Sequence, residues 1–263
     1  MQFLAELMIY NGKPLISFRF YAIIHLMVGD EMRLGVFTDS HYSSAEITCG
    51  KRYNREAFNR ISNALSFFCD QKCDVIICLG DLIDKEIEHS KEVENLKRIS
   101  DLFSKCEIPI YVLMGNHDAF AFNVDEFYDI LGTKCRPINL YNESCNLIFL
   151  DACYFKNGKH YKPGDSDWTD TFLKDIDTLE KTIKEASGDT HIFIHQNIDP
   201  SVLENHRIFN DVCVRSILEN SGKVKTVFQG HYHPGKNSEL NGIKYMTFPA
   251  LCENENAYYI IGV

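Results

Sequence analysis

Short apolar runs alternate along this chain with segments in which apolar residues recur at helical spacing. RLGVF (33–37), DVIICLG (74–80) and IPIYVLM (108–114) are of strand length and almost without polar interruption, as strands buried on both faces are. Pro109 stands at the start of the third run, where a missing N–H costs little. Between the runs, Ala57, Ile61, Ala64, Leu65 and Phe68 predict a helix over 54–69, and Leu96, Ile99 and Phe103 a second over 88–105. The order βαβαβ predicts an α/β fold with a mostly parallel sheet covered by helices.

The second half continues with strand-like CNLIFLD (145–151), then a Tyr-, Lys- and Gly-rich loop, YFKNGKHYKPGDSDW (154–168). Trp168, Phe172, Leu173, Ile176, Leu179 and Ile183 predict a helix capped by Ser166 or Asp167. THIFIH (190–195) reads as a strand, 206–220 as a helix and VKTVFQG (224–230) as a strand. GIKYMTF and AYYIIGV near the end read as late, more antiparallel strands. No repeat, low-complexity tract or linker interrupts residues 32–263, which are expected to form one domain. Residues 1–31 read as an N-terminal extension, with MRLGVFTDSH as the first strand and Met32 as the expected start of translation. The apolar run RFYAIIHLMV (19–28) is too short to span a bilayer and lacks the marks of a secretory signal.

Composition narrows the function. A formal charge of −10 over 263 residues argues against a basic face that grips long nucleic acid, though bound cations can supply positive charge locally. The ten cysteines form no CxxC pair, and several lie in apolar runs where Cys acts as a small hydrophobe. That usage fits a reducing cytoplasm, and with no apolar run long enough to span a bilayer no membrane association is expected.

The polar chemistry sits at strand ends. TDSH (38–41) follows RLGVF, GDLID (80–84) follows VIICL, GNHD (115–118) follows IPIYVLM, His195 ends HIFIH, and GHYH (230–233) follows VKTVFQ. In an open α/β sheet the crevice outside the carboxyl ends of strands is the binding site, so five sequence-distant clusters are expected to converge. Each alone reads equally well as a turn or a satisfied histidine; the five together do not. The candidate ligands are Asp39, His41, Asp81, Asn116, His195, His231 and His233. Carboxylate, imidazole and one amide, without thiolate, suit Mn, Fe or Zn. Seven ligands are too many for one tetrahedral ion and suit two metals roughly 3.5–4 Å apart sharing a carboxylate. Gly80, Gly115 and Gly230 fit sharp turns or close backbone approach.

This ordered set, DSH, GDLID, GNHD, a strand-end His and GHYH over 33–233, resembles the calcineurin-like metallophosphoesterases. The resemblance implies a four-layer αββα sandwich with mixed sheets and a di-metal centre at the C-terminal ends of strands. It implies Asp39, His41, Asp81 and His233 around one metal and Asp81, Asn116, His195 and His231 around the other. It implies that His117 faces the substrate phosphate, oriented by Asp118, with Asp84 in support. It implies a phosphoester hydrolase using a metal-bridging hydroxide. Gln196 and Asn197 depart from the family's usual residues after the fourth-motif histidine. KRYNREAFNRI (51–61) resembles the matching stretch of manganese-dependent ADP-ribose/CDP-alcohol diphosphatases and class III cyclic-nucleotide phosphodiesterases. Lys51, Arg52 and Arg55 are therefore candidates to meet phosphate, and the 154–168 loop to stack on a base. The expected substrate is a small phosphodiester or nucleotide pyrophosphate. A phosphomonoesterase and a catalytically silent scaffold remain as alternatives. His160, His191 and His206 read as structural or surface residues.

Overall fold

The computed structural model describes residues 8–10, 13–15, 31–141 and 145–263. The reading of 1–31 as an extension falls mostly outside the described residues; within it a two-stranded antiparallel hairpin, β1 (Met8–Tyr10) and β2 (Lys13–Leu15), is described.

From Met32 the chain forms two sheets. The first has the order β12-β3-β4-β5: β3 (Arg33–Phe37), β4 (Val75–Cys78) and β5 (Ile110–Val112) run parallel, and β12 (Tyr258–Gly262) lies antiparallel to β3. The second has the order β10-β11-β9-β8-β7-β6. There β7 (Cys145–Leu150), β8 (Asp189–Ile194), β9 (Val224–Gln229) and β11 (Ile243–Thr247) run parallel. The edges β6 (Leu140–Tyr141) and β10 (Lys236–Leu240) are antiparallel to their neighbours.

Three apolar layers hold four structural layers together. Leu34, Val36, Val75 and Ile77 of the first sheet meet Leu147, Phe193 and Phe228 of the second. The other face of the first sheet is covered by α1 (Ala57–Asp70), α2 (His89–Phe103), α3 (Asn116–Ala121) and α4 (Val124–Leu131), with Phe68, Phe103 and Phe127 fully or almost fully buried. The outer face of the second carries α5 (Ile176–Glu185) and α6 (Asp211–Ser221) through Leu179, Ile183, Val214 and Leu218. This is the αββα sandwich. Phe193 stacks between Phe149 (5.0 Å) and Phe228 (4.9 Å) in the inner layer. Phe193→Ala would leave a cavity there that flat sheets cannot close. It is expected to cost about 3–5 kcal/mol of unfolding free energy, read as a lowered urea midpoint.

Several elements differ from expectation. The helix predicted from Trp168 begins only at Ile176, behind Asp175. Asp167 caps no helix: its Oδ1 accepts from the Thr169 N–H (3.0 Å) and hydroxyl (2.7 Å), closing a local turn. Phe172 makes bridges to Cys153 and Tyr154 instead of lining a helix. GIKYMTF runs antiparallel to β10 but parallel to β9, while AYYIIGV lies antiparallel to β3 as expected. The cause is the Asn241-Gly242 turn, where both residues have positive φ (52° and 80°), the two-residue hairpin geometry favoured by Asn-Gly. It reverses the chain from β10, so β11 returns in the direction of β9. Helices α3 and α4 were not predicted, although Val124, Phe127, Tyr128 and Leu131 carry helical spacing behind Asn123. Among the described residues no helix is long and apolar enough to cross a membrane.

Candidate metal centre

The turns after β3, β4, β5, β8 and β9 meet at one edge of the sandwich, so both sheets contribute. Four of the residues there hold left-handed backbone although none is glycine: Asp39 (φ 51°), His41 (47°), Asp81 (50°) and His231 (64°). Such conformations cost of order 1–3 kcal/mol each and concentrate at functional sites. Gly80 has φ 112°, and a Cβ on it would lie 2.6 Å from His195 Nδ1. Gly115 is extended (φ −92°, ψ 178°); it is required by space, because a Cβ there would strike the Asp81 carboxylate.

Asp81 Oδ2 is 3.3 Å from His195 Nε2 and 3.6 Å from His41 Nε2. Asp81 Oδ1 accepts the His117 backbone N–H at 2.8 Å, which leaves Oδ2 directed between the two imidazoles. On one side, Asp39 Oδ1 lies 3.7 Å from His41 Nε2 and 3.4 Å from His233 Nε2, and those two ring nitrogens are 3.1 Å apart. On the other, donor atoms of Asp81, His195 and His231 lie within 4.8 Å of one another. Asp81 thus belongs to both groups.

The residues fit cations. Asp39 Oδ1, Asn116 Oδ1, His195 Nε2 and His231 Nε2 are buried without a hydrogen-bond partner, a costly state unless something else fills the space. Their partners orient them for it. Asp39 Oδ2 is occupied by the Thr38 hydroxyl (2.6 Å) and the His231 N–H (2.9 Å). His195 Nδ1 donates to Leu79 O at 2.8 Å, and His233 Nδ1 is held by Glu253. In each case the second polar atom points inward.

Electrostatics agree. Burial works against the Asp81 charge, but His195, His117 and His41 hold its carboxyl well below the usual range. Burial likewise opposes charge on His195, yet the Asp81 carboxylate pushes it up to about 9. Burial, with the His117 charge, drives His41 down to about 4. Cations need neutral imidazoles as ligands, so metal uptake here would release any proton those rings carry.

His117 heads α3, and Asp84 Oδ1 holds its Nδ1 at 2.8 Å. Its Nε2 makes no hydrogen bond among the described residues, and 24% of the side chain is exposed. The partner is Asp84, not Asp118 as expected. Asp118 accepts the Leu82, Ile83 and Gly115 N–H groups (3.2, 3.1 and 3.0 Å) and thereby ties the GDLID turn to the GNHD turn. Burial, with the Asp81 charge, pushes its carboxyl up to about 7. The distinction is geometric: Asp118 lies within the turn that it caps, whereas Asp84 reaches His117 across the gap between two loops.

Other residues border the centre without having been read as part of it. Asn54 donates to His41 O (2.8 Å) and Asp84 Oδ2 (3.0 Å). Cys252, fully buried, lies within 4.8 Å of His41 and His233 donor atoms, so a thiol borders a cluster expected to have none. Asn197 donates to Gly230 O (2.9 Å), tying the His195 and GHYH turns. Most of the 154–168 loop folds on itself, with Tyr161 buried against Phe155 and Phe120. Only Trp168 reaches the edge, its ring 5.4 Å from His231 and 5.1 Å from His206. His206 itself lies 5.3 Å from His231, beside the centre.

Known proteins resemble this chain in sequence and in fold. CpdA of Haemophilus influenzae, a 3',5'-cyclic adenosine monophosphate phosphodiesterase, is 25% identical over 185 residues, 68% of this chain and 61% of CpdA. The match therefore spans less than two thirds of that relative's length. A Pseudoalteromonas protein named "Probable cyclic nucleotide phosphodiesterase" is 25% identical over 226 residues, 84% of this chain and 78% of that one. The crystal structure of a dimetal phosphatase from Danio rerio superposes with a TM-score of 0.72 at 16% identity, covering 85% of this chain and 89% of that one; this likeness is one of fold. The family model of calcineurin-like phosphoesterases matches residues 32–235, a span that contains all five strand-end motifs, and the chain belongs to that family.

Proposed function

We propose that this metallophosphoesterase hydrolyses a small phosphodiester or nucleotide pyrophosphate in the cytoplasm, with Asp39, His41, Asp81 and His233 holding one metal and Asp81, Asn116, His195 and His231 the other. The observation that carries the assignment is Asp81 Oδ2, which lies between His41 and His195 and belongs to both donor groups. The imidazole and carboxylate donors favour Mn, Fe or Zn. Two such ions would supply Lewis acidity toward phosphoryl oxygens and acidify a coordinated water.

The chain's own groups do the rest. Asp84 fixes the His117 ring through Nδ1 and leaves Nε2 without a protein partner among the described residues, so a proton on Nε2 would be available to a phosphoryl or leaving-group oxygen bound there. The α3 helix start and the Asp118 clamp hold His117 and Asn116 in register with Asp81. The relatives named as cyclic nucleotide phosphodiesterases support a diester, and the net charge of −10 supports a small substrate over a nucleic-acid polymer.

Elemental analysis and paired chromogenic assays test this. The protein is expected to carry about two metals per chain and to prefer bis-p-nitrophenyl phosphate over p-nitrophenyl phosphate in Mn²⁺, with activity lost on chelation. Preference for the monoester would replace the reading with a phosphatase. Metal-loaded protein inert to both would point to a scaffold, and protein that takes up no metal would overturn the site.

A further inference from the structure

We propose that Cys69 and Cys106 form a dithiol site that a small disulfide converts into an intramolecular disulfide, stapling the end of α1 to the approach to β5. The site is independent of the hydrolase reading. Cys69 lies in the last turn of α1, which leads into β4, and Cys106 lies between α2 and β5. Both therefore stand at the amino ends of parallel strands whose carboxyl ends carry the metal centre.

The two Sγ atoms are 3.8 Å apart across 37 positions of sequence. A disulfide needs about 2.05 Å, so a gap of about 1.8 Å remains to be closed. Packing does not account for the pair. Cys73, four residues after Cys69, is buried in the core beneath α1, where a small hydrophobe belongs. Cys69 is exposed, and a sulfur there buries little; Cys106 is half-buried against the same core. The backbone at each is held: Lys72 N donates to Cys69 O and Cys106 N to Phe103 O, both at 3.0 Å.

The two thiols divide the reaction between them. Cys69 is the one that a reagent reaches. Its thiolate attacks one sulfur of a low-molecular-weight disulfide such as glutathione disulfide, which leaves a mixed disulfide on Cys69 and releases one glutathione thiolate. Burial pushes the Cys106 thiol up to about 11, although the Ile108 N–H and Lys134 favour its charge. Cys106 is thus a poor first nucleophile, but it already touches Cys69, and contact offsets a small thiolate fraction. Its thiolate attacks Cys69 Sγ, forms the Cys69–Cys106 bond and expels the second glutathione. Two protein thiols are oxidised, one glutathione disulfide is reduced, and the two protein protons pass to the two leaving thiolates. The bond closes a loop that contains β4, Asp81, Asp84 and α2. Such a cross-link restricts the unfolded chain, so oxidation secures the segment carrying the shared carboxylate without touching it.

The test treats the reduced, full-length protein and its Cys69→Ser and Cys106→Ser variants with glutathione disulfide, alkylates the remaining thiols, and maps tryptic peptides without reduction. Trypsin separates Cys69, in 61–72, from Cys73, and places Cys106 in 106–134. In the parent, 61–72 is expected joined to 106–134, with neither cysteine alkylated. Cys106→Ser should stop at the intermediate, with glutathione retained on Cys69. Thermal unfolding of the oxidised parent should shift upward by roughly 5–15 °C; the shift should vanish with dithiothreitol and be absent in Cys69→Ser. A parent in which both cysteines stay alkylatable would overturn the proposal, as would Cys69 joined to Cys73 or to a second chain. Glutathione left on Cys69 of the parent would show that Cys106 does not resolve it, and a cross-link without a rise in unfolding temperature would refute the staple.

Discussion

Asp81→Ala is expected to abolish turnover, by at least roughly 10³-fold, the scale on which a preorganised electrostatic group acts, and to strip metal from the protein. The reason is position. Asp81 Oδ2 stands 3.3 Å from His195 Nε2 and 3.6 Å from His41 Nε2, so in the proposed assignment its removal would take a ligand from both sites at once. The imidazoles of His41, His195, His231 and His233 would then have Asp39 as the one other carboxylate of the proposed ligand set to balance two cations. Asp81→Asn separates charge from shape: its Oδ1 can still accept the His117 N–H, now at 2.8 Å, and its volume is nearly the same. It too is expected to lose metal, because an amide cannot neutralise two ions. Elemental analysis would show about two metals per chain in the parent and one or none in both variants, with far-UV circular dichroism unchanged. An alanine variant with full metal content and full turnover would refute the shared-ligand assignment.

His117→Ala is expected to lower kcat by roughly 10²–10⁴-fold while leaving metal content intact, which separates a proton donor from a ligand. Loss of metal in this variant would make His117 a ligand, as its closeness to His41 and Asp81 permits. The two neighbouring carboxylates should then divide. Asp84→Asn weakens the hold on His117 Nδ1 and is expected to cost roughly 10–100-fold in kcat, as loss of an orienting partner does, with little change in stability. Asp118→Ala leaves the Leu82, Ile83 and Gly115 N–H groups without an acceptor. It should destabilise the fold by about 1–3 kcal/mol for each such group, seen in urea unfolding of the metal-free protein. The reverse pattern, with Asp118 controlling kcat alone, would restore the orientation first expected from the GNHD motif.

The metal-ligand candidates and the alternation of strand and helix were legible because both rest on short-range rules. A buried strand must be a short apolar run, and a chain that changes from apolar to His, Asp and Asn at five strand ends places that chemistry at the carboxyl ends of its strands, here in two sheets. The partner of His117 was not legible. Asp84 and Asp118 are the same residue type in adjacent motifs, and only the distance across two loops chooses between them. Glu253 and Cys252 were likewise invisible, since each comes to the centre from a segment with no motif of its own, and in the 51–61 stretch Asn54 was passed over for its basic neighbours. The late start of α5 had a local cause: Asp167 satisfies Thr169 in a turn, and Trp168 is thereby free to lie against His231.

The sequence by itself determined the α/β class, the strand-end placement of Asp39, His41, Asp81, Asn116, His117, His195, His231 and His233, and the kind of metal chemistry those donors suit. Residue type and strand period are enough for that. The tertiary structure alone decided which donors share a space, that Asp84 steadies His117 while Asp118 clamps two turns, that Lys51 meets Glu253 and Arg55 meets Ser44, and that Cys69 and Cys106 touch. Those outcomes depend on distances between segments far apart in the chain. Hydrogen-bond and charge energies fall steeply over a few ångströms, and no spacing along the sequence encodes them.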